Sequence, residues 1–242
     1  VYPLLPDFTV EILPEIDSTN SELMRRARAG QTEPTLLVAE RQTAGRGRMG
    51  RVWQSQPGDS LTFSLSLPMA PKDWSGMSLA VGLSLAESLH PQVGLKWPND
   101  LWVQERKLGG ILVEAASMGG RSQVVIGVGL NIRPRPADGL NTAPAALTEW
   151  RPDITAAQTL ALLAAPLIRT LLGFEQSGFA PLQARFEARD VLKGRRVHTS
   201  DGTQGTCLGV SASGALRLQT DAGAVEIHSA EVSVRPFAED KP

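Results

Sequence analysis

The hydrophobic pattern of this 242-residue chain has a helical period in some segments and a strand period in others. Apolar residues recur at helical spacing in three segments, and this spacing predicts helices over residues 19–29, 76–89 and 155–172. Thr19 and Glu22 form the pattern of a capping box at the start of the first helix. The larger part of the chain therefore contains helices with recognisable ends.

Residues that end or cap helices define the bounds of these three helices more closely. Gly30 and Pro91 follow the first and second helical patterns, and each is a residue type that ends helices. Thr155 is placed to cap the third helix, and Pro166 inside it should produce a kink. A further helical stretch over residues 181–189 would join the two parts of the chain.

Two apolar runs, over residues 101–103 and 108–113, are separated by the polar tetrapeptide QERK. This arrangement predicts a β-hairpin that turns near residues 104–106. In that hairpin Asp100 lies opposite Gly109, and Lys107 shares a face with Gly109, with ~7 to 8 Å between its backbone and that of Asp100. A carboxylate and an ammonium would then share one patch. Each residue also has a simpler interpretation on its own. Lys107 could be an exposed lysine at the tip of the hairpin, and Asp100 could be a turn residue.

From Leu192 onwards, short alternating segments replace the helical pattern. The segments RRVHT, GTCLGV, ALRLQT and AVEIHS are separated by glycine-containing turns, which predicts a small β-barrel. We therefore predict an α/β protein of the α+β type, with domains over residues 1–190 and 191–242. Residues 133–152 are rich in proline and small residues, and they predict a long mobile loop.

Composition narrows the class of protein. The chain has 24 Lys and Arg against 25 Asp and Glu, and this balance argues against bulk attraction to nucleic acid. No uninterrupted apolar run approaches the ~18 residues that span a bilayer, so we expect no membrane partner. The single cysteine, Cys207, cannot form an internal disulfide, and the three histidines lack metal-site spacing. Zinc and thiol chemistry therefore have no support.

Residues 41–55, RQTAGRGRMGRVWQS, carry four arginines that alternate with three glycines. Glycine lets backbone N–H groups approach an anion, and each guanidinium offers a fork of donors to phosphate or carboxylate oxygens. The string also matches the glycine-rich loops of dinucleotide folds and kinases. However, residues 61–67 alternate like a strand where a dinucleotide fold needs a helix, and the kinase motifs HRD and DFG are absent. A phosphate-binding loop and a solvated basic turn remain as interpretations.

Two further features indicate a ligand site. Ser18, Thr19 and Asn20 are three successive small polar residues at a predicted helix start, where they could present donors and acceptors to a ligand. Glycine pairs at 109–110 and at 127 and 129 fall within predicted strands. Glycine weakens a strand unless another backbone or a ligand approaches closely, so these pairs favour a site.

With these motifs in view, the chain resembles the biotin protein ligases, which adenylate biotin and pass it to a lysine of a carboxyl carrier domain. The resemblance runs from about Pro14 to about Arg235. It is carried, in order, by STN (18–20), Q-x-x-GRGRxGRxW (42–53), KWPND (96–100), K-x-GGILVE (107–114) and GVGLN (127–131). It implies a mixed-sheet biotin/lipoate ligase-like catalytic domain followed by an SH3-like β-barrel.

The resemblance also implies roles for individual residues. Lys107, Arg48 and Asp100 are the expected catalytic residues, with Lys107 between the biotin carboxylate and the α-phosphate and Asp100 orienting the acceptor lysine. Biotin is expected to contact Ser18, Thr19, Asn20, Gln42, Gly45, Arg46, Gly47, Arg48, Trp53, Lys107, Gly109 and Gly110. ATP and the adenylate are expected to contact Arg46, Arg48, Arg51, Trp53, Asn99, Lys107 and Asn131, the last at the adenine edge.

The same resemblance implies Mg²⁺ bound with ATP, a biotin carboxyl carrier protein of acetyl-CoA carboxylase as partner, and a cytoplasmic location. A homodimer is a further expectation. Two alternatives stay open: a lipoate-type ligase, and a bifunctional ligase/repressor whose DNA-binding domain is missing. The STN motif begins at position 18, which leaves no room for a winged helix-turn-helix, but the chain starts at Val1 without methionine.

Overall fold

The computed structural model describes residues 8–118, 121–137, 142–228 and 234–237. The helices are α1 Thr19–Arg28, α2 Met77–Leu89, α3 Ala156–Ser177 and α4 Gln183–Glu187. The strands are β1 Thr9–Ile16, β2 Thr35–Gln42, β3 Ser60–Pro68, β4 Gly94–Lys96, β5 Asp100–Val103, β6 Arg106–Met118, β7 Arg121–Asn131, β8 Arg196–Thr199, β9 Gln204–Val210, β10 Leu216–Thr220, β11 Gly223–Ile227 and β12 Val234–Pro236.

The first seven strands form one mixed sheet in the order β1-β2-β3-β7-β6-β5-β4. Only β1 and β2 pair in parallel; the other neighbours are antiparallel. Neighbouring residues Leu36 and Leu37 point to opposite faces, because Leu36 packs in the main core and Leu37 against α1. The sheet is therefore covered by α1 on one face and by α2 and α3 on the other, and the predicted mixed-sheet fold is confirmed.

The first helix begins at Thr19, and its N-cap lies one residue earlier than predicted. Ser18 is the N-cap, with an extended backbone, and its Oγ accepts from the Ser21 N–H at 3.3 Å. Thr19 is already helical, and Glu22 forms an ion pair with Arg26 instead of reaching back to the cap. The predicted Thr19 capping box is therefore wrong, and the Thr19 hydroxyl is available for other contacts.

The third helix is capped as predicted. Thr155 and Gln158 exchange the two bonds of a capping box, and the helix continues through Pro166 to Ser177, past its predicted end at residue 172. By length and composition alone this helix could cross a membrane. Its apolar side chains, however, pack on α2 and on β3, and they include Leu160, Leu163, Leu167, Leu171 and Phe174.

The predicted hairpin is present, but its register differs by one residue. Gln104 and Glu105 form the turn, with φ values of 50° and 60°. Asp100 pairs with Gly110 and Trp102 with Lys107, because Leu108 is the extra residue of a β-bulge. The predicted pairing of Asp100 with Gly109 is therefore wrong.

All four predicted C-terminal strands are present, and β12 joins them in an antiparallel sheet with the order β11-β10-β9-β8-β12. Among the described strands β11 and β12 are both edges, so the described part does not show the closed barrel that was predicted. The predicted boundary at residues 190/191 lies between α4 and β8. The Trp97 indole N–H donates to the Gly214 carbonyl at 3.1 Å and joins the two parts.

The proline-rich segment is partly docked. Lys107 N donates to the Ala143 carbonyl and Ala145 N to the Lys107 carbonyl, both at 2.9 Å. Leu147–Glu149 form a 3-10 turn, and Leu147 is buried. This half of the predicted mobile loop is therefore bound to β6, while residues 138–141 lie outside the described residues.

Candidate active site

A cleft of about 710 Å³ opens over the strands that carry the glycine pairs. Thirteen of the predicted site residues line it, and they come from separate parts of the chain. They are Ser18, Thr19, Asn20, Gln42, Arg46, Gly47, Arg48, Arg51, Trp53, Asn99, Asp100, Lys107 and Gly110. The fold thus brings the three sequence features into one site.

Three predicted site residues lie behind the lining. A Cβ on Gly45 would be 2.3 Å from the Trp53 carbonyl oxygen, and one on Gly109 would be 2.6 Å from the Gly129 carbonyl oxygen. Both glycines therefore permit close backbone packing. Asn131 is buried, and its amide nitrogen donates to the carbonyls of Lys107 at 3.1 Å and Ala145 at 3.0 Å. These two bonds connect Asn131 to β6 and to the segment around Ala145. The role of Asn131 at the adenine edge stays a prediction.

A chain of hydrogen bonds runs along one end of the cleft. The Thr19 hydroxyl lies 3.1 Å from Gln42 Oε1 and 2.8 Å from Ser64 Oγ. Ser64 Oγ lies in turn 3.1 Å from Asn20 Oδ1. Asn20 Nδ2 donates to Glu114 at 2.5 Å, which fixes the orientation of its amide. The chain is therefore closed at each end by an amide oxygen, which can only accept.

This chain has fewer hydrogens than contacts. Two hydroxyls supply two hydrogens, while three oxygen–oxygen contacts link Gln42, Thr19, Ser64 and Asn20. The Thr19 backbone N–H also donates to Gln42 Oε1 at 2.8 Å, so both terminal amide oxygens are paired when Thr19 Oγ1 donates to Ser64 and Ser64 Oγ to Asn20. An amide oxygen has two lone pairs, and a ligand N–H could donate to a second lone pair of either oxygen. The Ser18 hydroxyl, which accepts from a backbone N–H, keeps its own hydrogen to donate. This end of the cleft matches a ligand group that carries both N–H and C=O.

Glycines on β7 make the floor of the cleft. A Cβ on Gly127 would lie 2.6 Å from Asn20 Oδ1, and one on Gly129 would lie 2.4 Å from the Trp53 ring. Real side chains do not tolerate such contacts. These glycines therefore let the Asn20 amide and the Trp53 indole lie flat against the sheet, and the predicted close approach is explained by these two side chains.

Gly129→Ala tests this floor. We expect the added methyl group to displace the Trp53 indole, to lower the free energy of unfolding by about 1 to 3 kcal/mol, and to weaken ligand binding. Thermal unfolding checks the first effect. The control is Gly173→Ala in α3, where a Cβ meets nothing within 4 Å and alanine should be neutral or stabilising. Equal melting temperatures for Gly129→Ala and wild type would contradict the packing described.

The arginine loop lies across the cleft. Arg46 donates to Ser21 Oγ and Glu114 Oε1, both at 3.2 Å. Arg48 is half-buried and donates to Asn99 Oδ1 at 3.4 Å, and burial lowers the pKa of its guanidinium. Arg51 is exposed. The loop thus presents cations to the cleft.

Arg41, the first arginine of the sequence motif, does not take part. It pairs with Glu15 on β1 at 3.0 Å and is absent from the cleft lining.

Lys107 and Asp100 share one patch, as predicted. Their Nζ and Oδ1 atoms are 2.6 Å apart, and the lysine side chain passes over Gly110, whose Cβ position would lie 3.3 Å from Nζ. The β-bulge explains why the lysine faces Gly110 and not Gly109. A glycine here leaves space for the lysine and for a ligand beside it.

Several cleft residues were missed by sequence reasoning. Ser64 sits in a strand whose residues are buried on both faces, so its alternating pattern gave no sign of a site. Arg135 lies 5.3 Å from the Trp53 ring centroid, and burial lowers the pKa of its guanidinium. Lys96 and Arg235 also line the cleft, and Arg235 comes from β12 of the second sheet. Among these residues only Lys96 belongs to one of the sequence motifs.

Comparison with known proteins assigns this site to a class. The sequence profile of the Biotin/lipoate A/B protein ligase family matches residues 12–131, and the profile of the Biotin protein ligase C terminal domain matches residues 194–235. Both matched segments are therefore those of the biotin/lipoate class of protein ligases.

Individual relatives narrow the class. The bifunctional ligase/repressor BirA of Escherichia coli (strain K12) is 37% identical over 94% of this chain and 74% of its own length. The biotin--[acetyl-CoA-carboxylase] ligase of Paracoccus denitrificans is 31% identical over 91% of this chain and 98% of its own. The structure of the biotin protein ligase from Aquifex aeolicus in complex with biotin and ATP is similar with a TM-score of 0.81, at 30% identity, over 95% of this chain and 99% of that one. The chain belongs to the biotin protein ligase family.

Proposed function

We propose that the protein activates biotin with ATP to biotinyl-5′-AMP and pyrophosphate, and then transfers biotin to a specific lysine of a biotin carboxyl carrier protein of acetyl-CoA carboxylase. The observation that carries this proposal is the hydrogen-bonded chain of Gln42, Thr19, Ser64 and Asn20, which ends in two amide oxygens and lies in the same cleft as Lys107. A cyclic urea has N–H groups that can donate to the amide oxygens of this hydrogen-bonded chain. Its C=O group can accept from the Ser18 hydroxyl.

Biotin would lie with its ureido ring at the polar end of the cleft and its carboxylate near Lys107. The fused rings are largely apolar, and they would pack against the Trp53 indole, which itself lies against Gly129. This orientation places the carboxylate where cations are concentrated. It also accounts for the expected contacts of Gln42 and of the polar triplet at the start of α1.

In the first step a biotin carboxylate oxygen attacks the α-phosphorus of ATP. A new oxygen–phosphorus bond forms, the bond from the α-phosphorus to the bridging oxygen breaks, and pyrophosphate leaves with the electron pair. Two anions must approach each other, so positive charge from Lys107 and Arg48 offsets their repulsion and stabilises the transition state. Arg51 and Arg46 lie on the same loop and would enclose the phosphates.

In the second step the acceptor lysine attacks the acyl carbon, and AMP leaves. An ammonium in water, with a reference pKa of ~10.4, must lose its proton before it attacks. Asp100 is the carboxylate at this point of the cleft, and we assign it to orient the incoming amine and to assist removal of its proton. Its ion pair with Lys107 lies within the same small patch.

Mg²⁺ is proposed to arrive with ATP. Among the described residues no group of three or more His, Cys, Asp or Glu could hold a metal ion, so the triphosphate oxygens and water would supply most ligands, with Asp100 the nearby carboxylate. The ion would neutralise part of the phosphate charge.

We also propose a cytoplasmic location, a homodimer and the lack of a nucleic-acid partner. The last proposal rests on the formal net charge of −1, which gives no bulk attraction to nucleic acid.

Thermal unfolding with biotin and with lipoate tests the ligand. Biotin at 100 times its dissociation constant should add ~2.7 kcal/mol to the free energy of unfolding, whereas lipoate at the same concentration should leave the melting temperature unchanged. A shift with lipoate alone would favour the lipoate-type alternative and would contradict the proposal.

A further inference from the structure

Lys96 occupies an unusual place in the wall of the cleft. It ends β4, the edge strand of the sheet, and pairs in register with Asp100 on β5. Its ammonium lies 4.6 Å from the centroid of the Trp102 ring. Among the described residues it has no hydrogen bond and no carboxylate within 4.0 Å, since the Oδ1 atom of Asp100 lies against Lys107. Within the described part of the chain, Lys96 is thus a half-buried cation that forms no ion pair.

The charges around Lys96 are mostly positive. Asp100 stabilises its charged form, while Lys107, Arg51 and Arg235 act against it, and burial lowers the pKa of Lys96 to about 8. The ammonium still carries its charge at neutral pH for most of the time. Removing an unpaired cation from water costs free energy unless an anion binds to it. The surplus of positive charge in this part of the cleft therefore matches a polyanion.

The alternative is structural. The lysine stem could pack on Trp102 while the ammonium stays in contact with water, as long cationic side chains often do. That arrangement would explain the contact with the aromatic ring. It would not explain why three further cations lie around the same point of the cleft.

The position in the sheet identifies which part of a polyanion reaches Lys96. The ureido end of the cleft is built on α1, β3 and β7, Lys107 is on β6, and Lys96 is on β4, two strands further along. Adjacent strands are ~4.8 Å apart, so the backbones of Lys107 and Lys96 are separated by about 10 Å across the sheet. Both lysine side chains line the same cleft, and an extended polyanion such as a triphosphate can contact both ammonium groups.

We infer that Lys96 binds the β- and γ-phosphates of ATP and stabilises the pyrophosphate that leaves when the carboxylate attacks the α-phosphorus. This inference rests on the proposed ligase function. As the bond from the α-phosphorus to the bridging oxygen breaks, negative charge accumulates on the leaving group. The Lys96 ammonium, which lines the same cleft, donates hydrogen bonds to it and so favours the transition state.

The experiment compares Lys96→Met, Lys96→Gln and Lys96→Arg with wild type, and uses Lys72→Met as a control for the loss of one exposed lysine. Pyrophosphate release at varied ATP gives kcat/KM for adenylation, and added pyrophosphate gives its inhibition constant. Transfer to a carrier domain is measured separately with supplied biotinyl-5′-AMP. Lys96→Met should keep the wild-type melting temperature, because it replaces an unpaired cation on Trp102 with an apolar side chain.

For Lys96→Met and Lys96→Gln we expect kcat/KM for ATP to fall, and the inhibition constant of pyrophosphate to rise, each by about 10- to 100-fold. Lys96→Arg and Lys72→Met should stay near wild type, and transfer from supplied adenylate should change less than about twofold in every variant. Wild-type values of both constants in the Met and Gln variants would overturn the inference, as would an equal loss in transfer. Absence of adenylate formation in the wild-type protein would instead overturn the proposed function.

Discussion

Replacing Lys107 by alanine is expected to lower the rate of adenylation by about a hundred- to a thousand-fold, while transfer from supplied biotinyl-5′-AMP stays comparatively intact. Charge neutralisation is needed chiefly where the biotin carboxylate meets the α-phosphate, and in the second step the attacking amine is neutral. Single-turnover pyrophosphate release measures the first step. Carrier biotinylation from supplied adenylate measures the second.

Asp100→Asn is the matched contrast, because Asp100 and Lys107 form one ion pair 2.6 Å long. The asparagine keeps the shape and removes the charge, so adenylate should still form, while transfer slows and its pH optimum moves upward. If the carboxylate serves only to hold Lys107, Asp100→Asn will damage adenylation at least as much as transfer. If Lys107→Ala slows adenylation and transfer equally, Lys107 serves ligand binding in general and has no specific role in adenylation.

The second large effect is expected from Arg48→Ala. Biotin binding should weaken but remain measurable, whereas biotinyl-5′-AMP should dissociate far faster, by about tenfold or more, because a charge-assisted bond to its phosphate is lost. The Arg48 guanidinium is half-buried and donates to Asn99 Oδ1. Stopped-flow release of preformed adenylate is the measurement.

Arg41→Ala is the control for that variant. Arg41 belongs to the same sequence motif but pairs with Glu15 away from the cleft. Its removal should leave adenylate retention unchanged. Retention in Arg48→Ala that matches both wild type and Arg41→Ala would disprove the role given to Arg48.

Much of the fold could be predicted from the sequence, because local signals were strong. Helical spacing with Gly30, Pro91 and Thr155 at the ends located three helices, and turn residues separated the C-terminal strands. The arginine–glycine alternation located the loop over the cleft. The shared patch of Lys107 and Asp100 followed from hairpin geometry, since residues close in sequence determine it.

Other features depend on contacts that are distant in sequence. The β-bulge at Leu108 shifts the hairpin register, and a pattern of apolar residues does not reveal an extra residue in a ladder. Ser18 takes the cap because Thr19 bonds to Gln42 and Ser64, which lie 23 and 45 residues away. Arg235 reaches the cleft only because the second sheet packs beside it. Tertiary packing decides each of these.

Biotinylation of a carrier domain tests the proposed ligase activity. The protein is mixed with biotin, labelled ATP and a biotin carboxyl carrier domain, and pyrophosphate release and biotinylation of the carrier are followed together. We predict pyrophosphate release that depends on biotin, and biotin attached to a single carrier lysine, with no attachment when that lysine is replaced by arginine. Pyrophosphate release without carrier biotinylation, or no biotin-dependent release at all, would contradict the proposed ligase activity.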